Sequence, residues 1–321
     1  MSSATLHEIV SRSEFHAGLK WGLALAAIVA FAGVISTFFF KRPAPFAGLI
    51  VAVAFANGVA HSGVKNPEPL PGNVTHGLFL LAIGGLAAGV LASWRRPLAL
   101  SGLVFAIPGA SLLTHNTGLP EIGWVAPLVV LGTVLGGTLV ADFDRRHARR
   151  GWSVVMFAVS VVGVYFTVPD TERALVLLGA SLPLVLLGWP FAFASLGSVG
   201  AYPAVGALAW TCAYEGLGRP ASIVAGIACL GLFVAEPIAR LAQGRTGAIL
   251  SWLPMRWWVA FPVVIGHLAL VFVASRVAGL RTGVGTATVI ALIELAMALT
   301  VLSALKVDVA RAHSGSNTAD Q

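Results

Sequence analysis

The sequence predicts an all-α polytopic membrane bundle of about eleven spanning helices (ten to twelve), and three observations carry that prediction. Only 10% of the 321 residues are charged while 57% are apolar, against about 25% charged in a typical soluble domain. The apolar residues come in continuous runs of about twenty, the length a helix needs to cross about 30 Å of hydrocarbon. The runs do not alternate apolar with polar, as barrel strands of about ten residues do. Backbone N–H and C=O groups cannot be left bare in lipid, so helices are the way these segments cross.

Taken in order, residues 1–19 read as a short polar tail. Within it Ser11-Arg12-Ser13-Glu14 has the form of a capping box, which would start a helix leading into the first span. The run from Trp21 to Phe40 is longer than a signal-peptide core and no A-x-A site follows it, so it is expected to remain as the first helix. Ten further spans are expected at about 45–62, 75–93, 97–114, 121–141, 151–168, 172–190, 194–213, 221–239, 257–275 and 283–305. Residues 172–213 are too many for one crossing, and Trp189-Pro190 divides them because proline stops a helix. A single membrane domain thus covers 20–305, and 306–321 form a short, polar, disordered tail.

Basic residues set the orientation. Lys41, Arg42, Arg95, Arg96, Arg145, Arg146, Arg149, Arg150, Arg240, Arg245, Arg256, Lys306 and Arg311 fall on one side, thirteen of the twenty lysines and arginines. Cytoplasmic loops hold such an excess, which places the N-terminus outside and the C-terminus in the cytoplasm of a cell-membrane protein. The same scatter through short loops argues against nucleic acid as a partner, despite the formal charge of +7. Cys212 and Cys229 form neither a CxxC pair nor a metal spacing.

A weak four-helix repeat is expected at an offset of about 95 residues. It equates Gly84, Trp94, Ala99, Gly102, Ala106 and Pro108 with Gly179, Trp189, Ala194, Gly197, Ala201 and Pro203. Gly85 with Gly89, and Gly132 with Gly136, have the small-residue spacing of close helix packing. Pro108-Gly109, Pro183, Pro203 and Pro262 fall inside spans, and broken helices line the binding sites of many transporters.

Two groups of residues could carry chemistry. On the expected outer face His61, His76, His115, Asp170, Glu172 and Glu215 stand at span ends, and such a set could bind a metal or activate water. Their ordinary reading is structural: Asp170 suits an N-cap, and Glu172 stands where the helix dipole favours negative charge. With no HExxH or other tight ligand spacing, neither a metal nor a cofactor is expected. The second group is His267 and Glu294, each near the middle of a span. They lie eight and eleven residues from the outer ends, or about 12 and 16 Å at about 1.5 Å per residue. Ionisable groups at that depth cost a few kcal/mol unless they face the interior and pair, so the two could share a proton or simply pin two helices together.

These readings give three function classes. The first is a small secondary transporter or permease for a small molecule or ion, proton-coupled through His267 and Glu294. The second is an accessory or scaffolding subunit with membrane-protein partners in a cell-envelope complex. The third is a membrane-embedded enzyme using the outer cluster. The chain has no ATP-binding motif, which argues against primary transport by this chain alone.

Overall fold

A computed structural model describes residues 6–62, 70–94, 100–117, 119, 123–147, 152–168, 172–189 and 191–216, with a few further positions between 219 and 234. The described residues form helices α1 (Leu6–Ser11), α2 (Ser13–Phe40), α3 (Ala47–His61), α4 (Gly72–Trp94), α5 (Leu103–Leu112), α6 (Val125–His147), α7 (Trp152–Thr167), α8 (Glu172–Gly188) and α9 (Gly197–Glu215). Three stretches, Ser13–Phe40, Gly72–Ala92 and Val125–Arg145, are long and apolar enough to cross a membrane. His267 and Glu294 lie outside the described residues, as do Asp170 and the spans expected at 257–275 and 283–305.

The way α2 distributes its side chains shows which solvent it suits. Gly18, Gly22, Ala26, Val29 and Gly33 recur at three- and four-residue spacing and are buried. Its large side chains, Leu23, Ile28, Phe31, Val34, Phe38, Phe39 and Phe40, are exposed instead. Water would penalise that inversion, since soluble proteins rarely expose large contiguous apolar patches. Hydrocarbon accepts it, because helices there associate by bringing small residues and backbones together while large apolar groups meet lipid.

Glycine marks where the helices meet. Gly18 lies against the backbone of Val176, Gly22 against Ala180 and Gly33 against Phe193, so numbers rise together and α2 runs parallel to α8. Gly48 faces Gly200, and the rings of Phe55 and Trp210 pack edge to face at 6.3 Å, so α3 runs parallel to α9. A Cβ on Gly48 would fall 2.5 Å from the carbonyl oxygen of Gly200, and alanine there would force the helices apart. The hairpins α2–α3 and α8–α9 thus lie side by side in one direction.

The two turns interlock as well. The N–H of Ala44 donates to Phe193 O at 2.8 Å, and the N–H of Ser195 donates to Ala44 O at 3.0 Å, a short parallel pairing. The carbonyls of Ser195 and Leu196 then accept the N–H groups of Ala47 and Gly48 at 3.0 and 3.3 Å, satisfying the exposed start of α3. Gly197 has φ of 68°, and any Cβ there would run into the carbonyl of Pro45. Both the backbone angle and the close approach require glycine.

Of the remaining helices α4 and α6 pack against α9, α5 packs on α4 and α6, and α7 packs mainly on α8. Gly85 lies against Ser198 and Val199, while Gly206 lies against Leu78 and Leu81, so α4 is antiparallel to α9. Gly77 opposite Gly109 and Gly84 opposite Gly102 join α4 to α5 as an antiparallel pair. Gly136 meets Val205, Gly137 meets the ring of Tyr202, and Thr138 Oγ1 is 3.0 Å from Tyr202 Oη, joining α6 to α9. Consequently α2, α4, α6 and α8 begin at one end of the bundle, here the upper end, and α3, α5, α7 and α9 begin at the lower end.

Three expectations need correction or comment. The capping box does not form: Ser11 ends α1 and its hydroxyl donates to Glu8 O at 2.9 Å, while Arg12 stands at the start of α2 without a side-chain cap. Because α2 already begins at Ser13, Glu14 and Phe15 are buried rather than part of a polar tail. Pro108, Pro183 and Pro203 do not break their helices, which run through them continuously. One missing N–H is tolerated where neighbouring helices hold the backbone in place. The 95-residue repeat would equate α4–α5 with α8–α9. Its matched turn glycines differ in conformation, Gly102 at φ −59° and Gly197 at φ 68°.

Candidate functional site

At the upper end the last turn of α9 holds the first turn of α8. Glu215 is only 1% exposed. Its carboxylate accepts the N–H of Arg173 and, at 3.1 and 3.2 Å to its two oxygens, the N–H of Ala174. Helix N-termini leave such donors unpaired and carry partial positive charge, so a carboxylate supplied by the neighbouring helix satisfies both needs. The guanidinium of Arg173 lies 3.8 Å from the ring centre of Tyr214 and 5.6 Å from that of Trp210. A cation over aromatic faces away from water adds about 0.5–2 kcal/mol.

The other candidates read from the span ends do not gather around this anchor. His61, at the end of α3, rests on Trp21 with ring centres 5.4 Å apart. Its Nδ1 is 2.8 Å from Asn57 O, an arrangement that needs the proton on Nδ1 because a carbonyl only accepts. His76 is exposed on the second turn of α4. His115 follows α5, where its carbonyl accepts from Asn73 Nδ2 at 2.7 Å and its Nε2 lies 3.3 Å from Asn116 Nδ2. Glu172 is the first residue of α8. Among the described residues no three of His, Cys, Asp and Glu come together in a way that could hold a metal ion. The cluster read from sequence is therefore divided among α2–α3, α4–α5 and α8–α9.

Two buried acids escaped the sequence reading. Asp144, 4% exposed, sits near the lower end of α6. Its Oδ1 accepts from the hydroxyl of Ser153 on α7, and its Oδ2 accepts from Gly197 N at 3.1 Å. Ser153 Oγ in turn accepts from Leu196 N at 3.2 Å. One carboxylate thus ties three helices at the start of α9. It hides in sequence because Asp142-Phe143-Asp144-Arg145-Arg146 reads as a solvated charge run. Helical geometry separates the pair: Asp142 meets Arg145 at 3.4 Å on the outside, and Asp144 turns inward.

The second is Glu14, 7% exposed at the upper end of α2, whose Oε2 is inaccessible and has no hydrogen-bond partner among the described residues. The sequence reads it as the last residue of a capping box, and nothing there marks it as buried beyond its place beside Phe15. Chemically, Glu215 and Asp144 act as anchors at opposite ends of α9. Between them they fix where α8 and α9 begin, and so how the two hairpins meet. No known protein family matches the chain, and no curated protein matches it.

Proposed function

We propose that the chain is a multi-pass cell-membrane protein of eleven spans, with the N-terminus outside and the C-terminus cytoplasmic, working as a small secondary transporter or permease. The observation that carries this reading is the parallel pairing of α2–α3 with α8–α9 through interlocked turns. Carriers are commonly built from two structurally repeated units that move against each other around a site between them. Extended backbone at the turns, held by carbonyl caps and by the buried Asp144, gives such units a defined pivot. His267 and Glu294 are the proposed proton-coupling pair, on the strength of their depth in the sequence-derived spans.

The test uses purified full-length protein in proteoliposomes with a pH gradient and an internal pH-sensitive dye, challenged with a panel of small metabolites and ions. Wild type is expected to move protons with at least one panel member, and Glu294→Gln is expected to abolish this while folding and inserting normally. Glutamine keeps the shape and hydrogen-bonding capacity of a protonated glutamate but cannot give up the proton. Proton movement that persists unchanged in Glu294→Gln would remove the coupling role.

A scaffolding role is the second reading, favoured by the glycine-to-glycine core. Close backbone contacts at Gly18, Gly48, Gly179 and Gly200 suit a rigid support more than a moving carrier. Wild-type liposomes that move no protons with any panel member, together with a silent Glu294→Gln and a destabilised Glu294→Leu, would favour that reading. The enzyme reading has no such observation in its favour: among the described residues no three of the histidines and acids are placed to hold a metal ion.

A further inference from the structure

We infer that the lower end of the bundle carries a lateral binding site for the phosphate headgroup of an anionic phospholipid, with Arg145 as its principal contact. The inference rests on the membrane reading and not on transport.

A cavity of about 50 Å³ opens between α4, α5, α6 and α9, lined by Gly89, Leu103, Thr138, Arg145, Ser198 and Tyr202, with Ala88, Leu100 and Ala141. A water needs roughly 10–15 Å³ measured this way, so the space takes a group of several atoms. Its lining has two characters. Ala88, Leu100, Leu103 and Ala141 are apolar. Arg145, Ser198, Thr138 and Tyr202 bring a guanidinium and three hydroxyls to the same space. The Thr138 hydroxyl donates to Val134 O at 2.7 Å and accepts from Tyr202 Oη at 3.0 Å, so both protons are used and the two form a fixed wall rather than donors to a ligand.

Arg145 reaches Asp142 through a single nitrogen at 3.4 Å, a long contact, and its side chain is 45% exposed. A guanidinium carries five donors in a planar fork that matches phosphate oxygens. Ser198 stands in the first turn of α9, where the N–H of Gly197 is already taken by Asp144, so what Ser198 offers the cavity is its hydroxyl. Gly89 lines the space, and a Cβ there would run into Ser198 Oγ.

The apolar surroundings say where the ligand comes from. Leu100, which lines the cavity, is 65% exposed, and Leu86, Val90 and Trp94 on α4 and Val104 on α5 are exposed as well. A phosphate diffusing in water gains nothing from such a border, whereas acyl chains lie against it. Trp94 at the end of α4 is 78% exposed, in the position of an interfacial anchor. Three further arginines, Arg146, Arg149 and Arg150, follow within five residues of Arg145 in the sequence. Polybasic segments next to membranes attract anionic lipid.

The experiment titrates purified full-length protein in mixed micelles with phosphatidylglycerol, with phosphatidylcholine and, separately, with inorganic phosphate, reading the thermal unfolding midpoint. Phosphatidylglycerol is expected to raise the midpoint of wild type, and phosphatidylcholine and inorganic phosphate are not. Arg145→Gln is expected to need at least about tenfold more phosphatidylglycerol for the same shift, as loss of a charged hydrogen bond implies. Arg145→Lys is expected to fall between them, since it keeps charge without the fork. Without lipid, all three proteins should unfold at the same midpoint, because Arg145 is half exposed; a lowered midpoint in Arg145→Gln would overturn the binding role in favour of a structural one. Equal response of wild type and Arg145→Gln would overturn the site, and an equal response to inorganic phosphate would overturn lipid as its source. A wild type that phosphatidylcholine stabilises as well as phosphatidylglycerol would overturn the charge recognition. Failure of any of these arms leaves the transport assay untouched, so the two proposals stand or fall separately.

Discussion

Replacing Glu215 by alanine is expected to destabilise the bundle by about 3 kcal/mol. The substitution strips the start of α8 of its acceptor, leaving the N–H groups of Arg173 and Ala174 without the carboxylate that now takes both. A buried donor left unsatisfied costs about 1–3 kcal/mol, so two set a gross loss of about 2–6 kcal/mol. Part is recovered because a buried carboxylate no longer has to be desolvated, which brings the expectation to the lower half of that range. Glu215→Gln separates hydrogen bonding from charge. The amide oxygen still accepts from the same N–H groups, and what is lost is negative charge at a helix N-terminus, about 1 kcal/mol. Unfolding free energies from SDS titration of the protein in mixed micelles would measure both variants. The reasoning fails if Glu215→Ala lies within about 1 kcal/mol of wild type, or if glutamine costs as much as alanine.

The remaining expectations concern the lower end, the turns and the topology. Asp144→Ala should destabilise by about 2–4 kcal/mol, since it orphans Gly197 N and the Ser153 hydroxyl, while Asp144→Asn should cost markedly less in the same titration. Gly197→Ala should cost at least about 2 kcal/mol, from its positive φ and from collision with Pro45 O. Gly72→Ala, with nothing within 4 Å, should be close to neutral, and equal effects would refute the close-approach argument. Reporter fusions at Ser3 and Ser314 should report opposite sides of the membrane, with Ser314 cytoplasmic; both on one side would end the eleven-span count.

Much of the architecture is legible in the residues because lipid imposes a simple rule. Apolar runs of about twenty residues must become helices, and the break at Trp189-Pro190 is written in residue chemistry: α8 ends at Gly188 and α9 begins at Gly197. Small residues in Gly85, Gly89 and Gly136 announce close packing, and each does lie against a neighbouring helix. The cluster read from the span ends was less legible. His61, His76, His115 and Glu215 share an end of the bundle, but span ends say nothing of position around the bundle, and that is where they separate. Pro108, Pro183 and Pro203 misled for a related reason. Proline removes one hydrogen bond locally, and whether the helix survives depends on the neighbours that hold it.

By itself, then, the sequence determined the solvent and the alphabet of elements: composition demands lipid, and lipid demands helices. It also determined where the chain turns, because proline, glycine and basic residues act locally. Tertiary structure alone decided which helices are partners, since any glycine face can meet any other and only the three-dimensional arrangement sets Gly18 on Val176 and Gly48 on Gly200. It alone distinguished the acids as well. Asp142 and Asp144 are two residues apart and chemically identical, yet one faces Arg145 and the other is buried at the start of α9. The physical reason is that a carboxylate's role is set by the donors around it, and those of Asp144 come from residues nine and fifty-three positions away.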